Sequence, residues 1–528
     1  MPKNSIYDLR DEFISGRISR RQFLRRSTAI GMSAAAASSL LAAAPLFAAT
    51  PKRGGTLRVA LASGGETESL DPTRYNSSAD YARGNSTYNP LVALNRKMQP
   101  IPALAESWES NAKADEWVFQ LRKGVTFHNG KDFTSADVVY SLQRHLREDS
   151  ESPGKPILQQ VTDIQADGKH TVRMKVDSPN ADLPIVFTQP QFLITQEGEE
   201  EFKSPSGTGP YKLKEYQLGI VSVGERNENY WGETYLDTVE MHTATDTTAR
   251  MNAMMAGEYD IAIGVDRKLL DLMGKVPGIE IVASASGQHT NLVMMCDRGQ
   301  TVNKDARLAL KYCIPREQIV KNVFKGYAMI GNDHQVPPTD PFYCHDIPQR
   351  PYDPDKAKFH LKKAGMEGGS IILHTSDQAV VNSEAIALLY KEAAKGAGLN
   401  VDVKVAPPGS YWGKVWMQVP FCVSGWNPRP TADLMLTIAN KSTSSWNEAA
   451  WGTEHFDQVL TQARGELDQS KRADMYCELQ RMIHDDGGCG MLAFYDLIDS
   501  KRDNVMGFDP HPAGYNRNAF FTSEIWLS

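Results

Sequence analysis

IILHTSDQAVVNSEAIALLYKEAAKGAGLNVDVKV, residues 371–405, carries the pattern that decides the fold. Ile371-Ile372-Leu373-His374 reads as a short strand, and Ser383 to Lys395 reads as an amphipathic helix. Gly396 and Gly398 stop that helix, and Val401, Val403 and Val405 alternate as a returning strand. A strand, a helix and a second strand in this order form a βαβ unit. Such a unit buries a parallel sheet under helices and predicts an α/β lobe around residues 300–490.

The flanks extend the pattern. Thr56 to Leu61 alternates polar and apolar side chains before a Ser63-Gly64-Gly65 turn, so a strand opens the folded region. Val118-Phe119-Gln120-Leu121-Arg122 is strand-like. Ser135 to Leu146 reads as a helix with Ser135 as its cap and Val138, Val139, Leu142 and Leu146 as its apolar stripe. Phe456 to Arg464 and Ser470 to His484 read as helices, the second burying Ala473, Tyr476, Leu479 and Ile483. No repeat of 20 to 50 residues and no heptad pattern is present.

With 528 residues, 41% hydrophobic and 23% charged, the chain exceeds what one compact core organises, and two or more lobes are expected. The net charge is −7, which argues against general nucleic-acid binding because nothing offsets phosphate repulsion. Residues 1–49 carry seven basic and three acidic residues, so the remainder is more acidic still, at −11. Within that front segment, Ser19-Arg20-Arg21-Gln22-Phe23-Leu24-Arg25 precedes 25 uncharged residues from Ser27 to Pro51. This resembles a twin-arginine export signal, with small residues for cleavage after Ala48 or Ala49 and a periplasmic destination. The competing reading is an N-terminal membrane anchor. No later stretch reaches the roughly 18 to 20 apolar residues of a spanning helix.

The six cysteines, Cys296, Cys313, Cys344, Cys422, Cys477 and Cys489, contain no CxxC, so no thiolate metal site is expected. In an oxidising compartment Cys477 and Cys489 form a candidate disulfide, with free, buried cysteine the alternative for most of the six.

Seven segments then fall in one order. They are Pro102-Ala103-Leu104-Ala105-Glu106-Ser107-Trp108, Leu121 to Lys131 with Phe133 to Ser141, Gly207-Thr208-Gly209-Pro210-Tyr211, Asn227-Glu228-Asn229-Tyr230-Trp231, Ala256-Gly257-Glu258-Tyr259-Asp260, and Tyr352 to Lys358. Together they resemble the peptide-binding family of extracellular solute-binding proteins (family 5), the dipeptide and oligopeptide receptors of ATP-binding-cassette importers. The match runs from about Gly54 to the C-terminus. Most of these residues read as structural: Gly124, Gly130, Gly207 and Gly209 suit turns with unusual backbone angles, and His128 lacks metal or catalytic partners at useful spacing.

The resemblance implies an α/β, bilobal periplasmic-binding-protein fold with two crossover strands and an extra smaller domain on lobe I. Lobe I is expected at 50–90, 205–298 and 493–528, the additional domain at 91–204 and lobe II at 299–492. Leu292-Val293-Met294-Met295 and Met491-Leu492-Ala493-Phe494 are placed to be the crossovers. A ligand is expected in the cleft, engulfed by hinge closure.

In peptide-binding members a Gly-Trp pair is followed by an aspartate that takes the peptide ammonium. Here Gly425-Trp426-Asn427-Pro428 leads to Arg429 at that position, with Asp433 four residues on. An ammonium would be repelled by the guanidinium, at a cost on the order of 2 to 5 kcal/mol. Asp433 is the substitute if the loop shifts, leaving Arg429 for a carboxylate, phosphate or sugar hydroxyls. The bland alternative pairs Arg429 with Asp433. Trp412, Trp416, Trp426, Trp446 and Trp451 crowd nearby, and ligand contacts are expected from Trp426, Asn427, Trp412 and Trp446, with Tyr411 and Asn447 as weaker candidates and Trp451 as core.

The expected function is therefore capture of a peptide or peptide-like solute and delivery to permease subunits in the inner membrane, by a monomer without catalysis or cofactor. The same receptor class for an opine, a sugar-acid conjugate or a chelated metal is the first alternative. A secreted hydrolase is the second, though GxSxG and HExxH are absent. A cofactor carrier, suggested by the export route alone, lacks any haem or iron–sulfur ligation pattern.

Overall fold

The computed structural model describes residues 51–377, 379–380, 382–407, 409–513 and 522–528, so the expected export segment lies outside the described residues. Two large sheets organise the chain. The first has seven strands in the order Ile279–Ser284, Leu497–Arg502, Ile261–Ala262, Thr56–Leu61, Thr238–Thr243, Val221–Arg226 and Tyr211–Gln217. The second has six, in the order Ala328–Ile330, Cys489–Tyr495, His289–Met294, Phe421–Trp426, Ser370–Thr375 and Asn400–Val405.

The βαβ unit forms as the sequence predicts. Ser370–Thr375 and Asn400–Val405 pair in parallel, with Ile371 opposite Val401 and Leu373 opposite Val403, and Ser383–Lys395 is the helix between them. The second sheet is covered on both faces, which explains its near-continuous apolar strands. Leu292 and Met294 enter the core formed with Leu373, Ile386 and Tyr390, whereas Val293 and Met295 enter a separate core with Leu436, Phe456 and Tyr476.

Two strand-to-strand connections join the sheets. Ile279–Ser284 of the first continues into His289–Met294 of the second, and Cys489–Tyr495 returns into Leu497–Arg502. The apolar segments around Leu292 and Leu492 are thus the second-sheet halves of these passages.

A smaller four-stranded antiparallel sheet is built from Ala105–Ser110, Glu116–Leu121, Thr171–Val176 and Val161–Ala166. The helix Ser135–Leu146 packs on it through Val138 and Leu142. Thr134, not Ser135, is the cap: Asp137 accepts the Thr134 backbone N–H at 2.8 Å, while the Ser135 hydroxyl donates to Gly168. Gly124 and Gly130 do hold positive φ values of 74° and 87°. Gly207 and Gly209 are different. A Cβ on Gly207 would lie 1.9 Å from the Thr87 carbonyl oxygen, so close backbone approach excludes a side chain there.

The disulfide joins Cys344 to Cys477 and not Cys477 to Cys489. Spacing in the chain misled because Cys489 lies in the strand Cys489–Tyr495, buried beside the Asn291 amide, while Cys477 faces the long irregular segment before Arg350. That segment is held elsewhere by a buried ion cluster in which Asp333 accepts from Arg316 at 2.5 Å and Arg350 at 2.7 Å. Among the described residues no helix is long and apolar enough to cross a membrane.

Candidate functional site

The strand Phe421–Trp426 ends where three parts of the molecule meet. After it, Pro428 and Pro430 flank Arg429, and their fixed φ angles hold the arginine's backbone. Arg429 lines a cavity of about 80 Å³ together with Gly287 from one passage between the sheets, Gln189 and Pro190 from the segment after the four-stranded sheet, and Thr339 and Asp340 from the irregular segment before Arg350.

The Arg429 guanidinium donates to the Asn427 and Pro428 carbonyls at 3.1 and 3.3 Å and stands over the Trp426 ring, 5.6 Å from its centre. No carboxylate pairs with it among the described residues. Burial holds its proton affinity below the ordinary arginine value. The cation is partly buried and, among the described residues, has no counter-ion, a condition under which an oxyanion ligand gains.

Asp433 does not pair with Arg429. It sits in the first turn of the helix Ala432–Asn440 and accepts from Arg464 at 3.0 Å, while Arg464 also donates to Thr437. Burial raises its carboxyl above the usual range even so. Asp433 and Arg464 line a second cavity, of about 470 Å³, between residues 430–464 and residues 156–189. Gln189 and Pro430 line both cavities, so the two compartments adjoin.

The tryptophans form one cluster with Trp416 at its centre. Its ring lies 5.6 Å from Trp412, 6.1 Å from Trp426 and 6.2 Å from Trp446, each edge to face. The Trp416 indole N–H donates to the buried Glu448 carboxylate, which also accepts from Ser424 and Asn291. Trp426 is buried, whereas Trp412 and Trp446 are 41% and 50% exposed. Ile438 packs against Trp426 and lines the larger cavity, so the cluster backs that wall.

Tyr411 and Asn447 are not brought to the cleft. Tyr411 is fully buried with its hydroxyl on the Val423 carbonyl, and Asn447 ties Asn440, Lys441 and Trp451 together through their backbones. Asn427 is exposed at the rim, where its side-chain oxygen accepts from Gln288 at 3.4 Å. Trp451 is core, donating to Asp486 and packing on Phe456. His128 links two loops, accepting from the Gly207 N–H and donating to the Gly209 carbonyl, and burial lowers its pKa to about 4.

Asp340, which lines the same cavity as Arg429, was not among the sequence candidates. It lies in Pro337-Pro338-Thr339-Asp340-Pro341, a proline-rich turn whose stiffness was the available signal. Its carboxylate accepts from the Phe342 N–H at 2.8 Å and from the Ala432 N–H, and burial pushes its pKa up to about 7. Among the described residues there is no group of three His, Cys, Asp or Glu side chains arranged to hold a metal ion.

Residues 99–448, well over half the chain, match the family described as bacterial extracellular solute-binding proteins, family 5. The di/tripeptide-binding protein 1 of Pseudomonas aeruginosa is 25% identical over 498 residues, covering 87% of this chain and 93% of that one. Two solved structures share the fold. The periplasmic binding protein of an ABC transporter from Helicobacter pylori, in complex with the peptide STSA, superposes with a TM-score of 0.71 at 24% identity, over 90% of this chain and 98% of that one. An Agrobacterium tumefaciens binding protein in complex with agropinic acid superposes with a TM-score of 0.70 at 20% identity, over 90% and 99% of the two chains. The chain belongs to the family 5 solute-binding proteins and has their bilobal fold.

Proposed function

We propose that this member of family 5 is the periplasmic substrate-binding protein of an ATP-binding-cassette importer, capturing a peptide or peptide-like solute between its lobes and passing it to the membrane permease. The observation that carries this reading is the partly buried Arg429, without a counter-ion among the described residues, in a cavity lined also by Gln189, Asp340 and Gly287 of a passage between the sheets. Closure around a ligand carboxylate would give the cation its partner, so capture and closure are coupled. Receptor names among the relatives support the peptide class.

The receptor acts as a monomer and performs no chemistry; release by the permease returns the solute unchanged. Export by the twin-arginine route into the periplasm fits the Arg20-Arg21 segment, and the Cys344–Cys477 bond fits an oxidising compartment. A second reading keeps the receptor and changes the cargo to an opine or other acidic conjugate. It is favoured by arginine at the position where an ammonium-binding aspartate is expected, and by likeness to the agropinic-acid receptor.

Denaturing the natively purified protein and identifying the released small molecules by mass spectrometry tests the proposal. Adding the identified compound to refolded protein at about 100 times its dissociation constant should stabilise it by ~2.7 kcal/mol. Release of a chemically converted product would overturn the receptor reading.

A further inference from the structure

Arg429 and Asp340 line the same cavity of about 80 Å³, and among the described residues neither forms an ion pair, with each other or with a third group. Arg429 reaches only two carbonyls of its own loop. Asp340 receives two backbone N–H groups, and a carboxylate offers roughly four acceptor positions, so about half of its capacity is unused. A partly buried cation and a partly buried anion that line one small cavity without an ion pair between them are jointly satisfied by a molecule carrying both opposite charges.

The dimensions select the kind of zwitterion. An extended peptide advances roughly 3.3–3.6 Å per residue, so the termini of a tripeptide are roughly 7 Å or more apart. An α-amino-acid head carries both charges on one carbon. The cavity is well below the roughly 300–1,000 Å³ of a typical ligand site, whereas the adjoining compartment of about 470 Å³ falls within that range. Its walls include Ile157, Ile185, Val186, Leu434 and Ile438, which suit the body of a larger molecule.

Resting on the peptide-like reading above, we infer that the small cavity is an α-amino-acid head-group site. Arg429 takes the carboxylate and Asp340 the ammonium of a single zwitterion, and the rest of the ligand passes Gln189 and Pro430 into the larger compartment. The favoured cargo is an α-amino acid extended through its side chain, such as a peptide linked through the side-chain carboxyl of glutamate or aspartate. Ordinary α-linked peptides, whose end charges are separated, are disfavoured. Burial of both charged groups, which lowers the arginine's proton affinity and raises the aspartate's, measures what such a head would relieve.

Two synthetic mixtures of di- to tetrapeptides decide this: one α-linked throughout, the other with the first residue a glutamate or aspartate joined through its side chain. Each is dialysed against full-length mature protein and the retained molecules are quantified by mass spectrometry. Wild type is expected to retain the side-chain-linked mixture at least tenfold over the α-linked one and to lose it when the head is N-acetylated. Asp340→Asn and Arg429→Gln should each erase the preference while leaving the thermal transition cooperative. Equal or reversed retention by wild type overturns the head-group inference and leaves the peptide reading standing. Retention of neither mixture overturns the peptide reading and the inference with it. The wild-type comparison decides the matter even if a variant fails to fold.

Discussion

The Asp182 carboxylate, in the segment that follows the four-stranded sheet, lies 2.8 Å from the Arg472 guanidinium of the helix Gln469–Asp486, and the two side chains are only 10% and 2% exposed. Arg472 also donates to the Ala463 carbonyl and stacks over the Phe342 ring, while the Ala181 N–H meets the Arg464 carbonyl beside it. The segment around Asp182 is therefore latched to the helices Glu454–Gly465 and Gln469–Asp486.

Removing one partner of this pair strands the other as a buried charge. Arg472→Met should destabilise the protein by about 3–5 kcal/mol, and the double change Arg472→Met with Asp182→Asn should recover most of the loss. Denaturant unfolding monitored by fluorescence gives both values. Small-angle scattering of the ligand-free double variant should show a more open particle; an unchanged radius of gyration would mean the pair does not hold the lobes together.

The Cys344–Cys477 bond spans 133 residues and pins an irregular segment to the helix Gln469–Asp486. Cross-linking so long a stretch restricts the unfolded chain strongly, and loss of a native disulfide commonly costs about 2–5 kcal/mol. Cys344→Ser and the double serine variant should show the same lowered melting temperature, and reductant should lower wild type to match. Cys489→Ser should keep the wild-type response to reductant in the same assay, because Cys489 is unbridged and the Cys344–Cys477 bond remains.

Acid should unfold the protein through its buried histidines. Burial lowers His128, His145 and His289 to about 4 and His334 to about 3. In the unfolded chain these groups titrate near 6.5, so between about pH 6.5 and 4 the unfolded state binds more protons. Stability therefore falls as pH drops through that window, by up to about 1.4 kcal/mol per pH unit for each histidine. Unfolding midpoints at pH 7, 6, 5 and 4 measure the slope, and His145→Phe should flatten it.

How far the sequence disclosed this molecule depends on whether the determinant was local. The parallel pairing of Ile371 with Val401 and the bounds of the helix Ser383–Lys395 follow from alternation and glycine stops, which act over a few residues. The place of Arg429 at the cavity after the strand Phe421–Trp426 was legible because a motif marks it; its part in binding is a proposal. The place of Asp340 was not legible, since it depends on a turn from 337–343 meeting the first turn of a helix some 90 residues later. Tyr411 was misread for the complementary reason: adjacency to Trp412 suggests a cleft, but a helix only four residues long turns its ring inward onto Val423. Disulfide partners and long-range pairs such as Asp182 with Arg472 are likewise set by tertiary packing, which leaves no periodic trace.

Arg429→Asp reverses the charge of the one cation that lines the small cavity among the described residues. Affinity for the copurified solute should fall by about 2–5 kcal/mol, roughly 30-fold or more, with little change in melting temperature. Titration calorimetry is the measurement, and unchanged affinity would remove Arg429 from the site. Tyr411→Phe should do the opposite, lowering stability by about 1 kcal/mol while leaving affinity intact, because its buried hydroxyl serves the Val423 carbonyl and the Cys422 thiol.

Affinity for an ammonium-bearing ligand should depend on pH through Asp340, whose carboxyl is raised to about 7 by burial and by the nearby Asp182, against the Phe342 and Ala432 N–H groups and Arg472. In free protein below pH 7 this carboxyl is largely protonated, and a neutral acid does not hold an ammonium, so binding must release its proton. The affinity of wild type should therefore weaken as pH falls from about 8 to 6, approaching tenfold per unit below 7. Stability of the ligand-free protein has the opposite dependence on this group. A carboxyl raised from 3.8 contributes a penalty that is absent at low pH and grows as pH rises toward 7. Asp340→Asn should accordingly stabilise the ligand-free protein by about 4 kcal/mol at pH 8 and by less than about 1 kcal/mol at pH 4, while abolishing the pH dependence of binding. Calorimetric titration at pH 6, 7 and 8 on both proteins distinguishes this from a structural role for Asp340, which would lower stability at every pH and leave the binding profile of wild type flat.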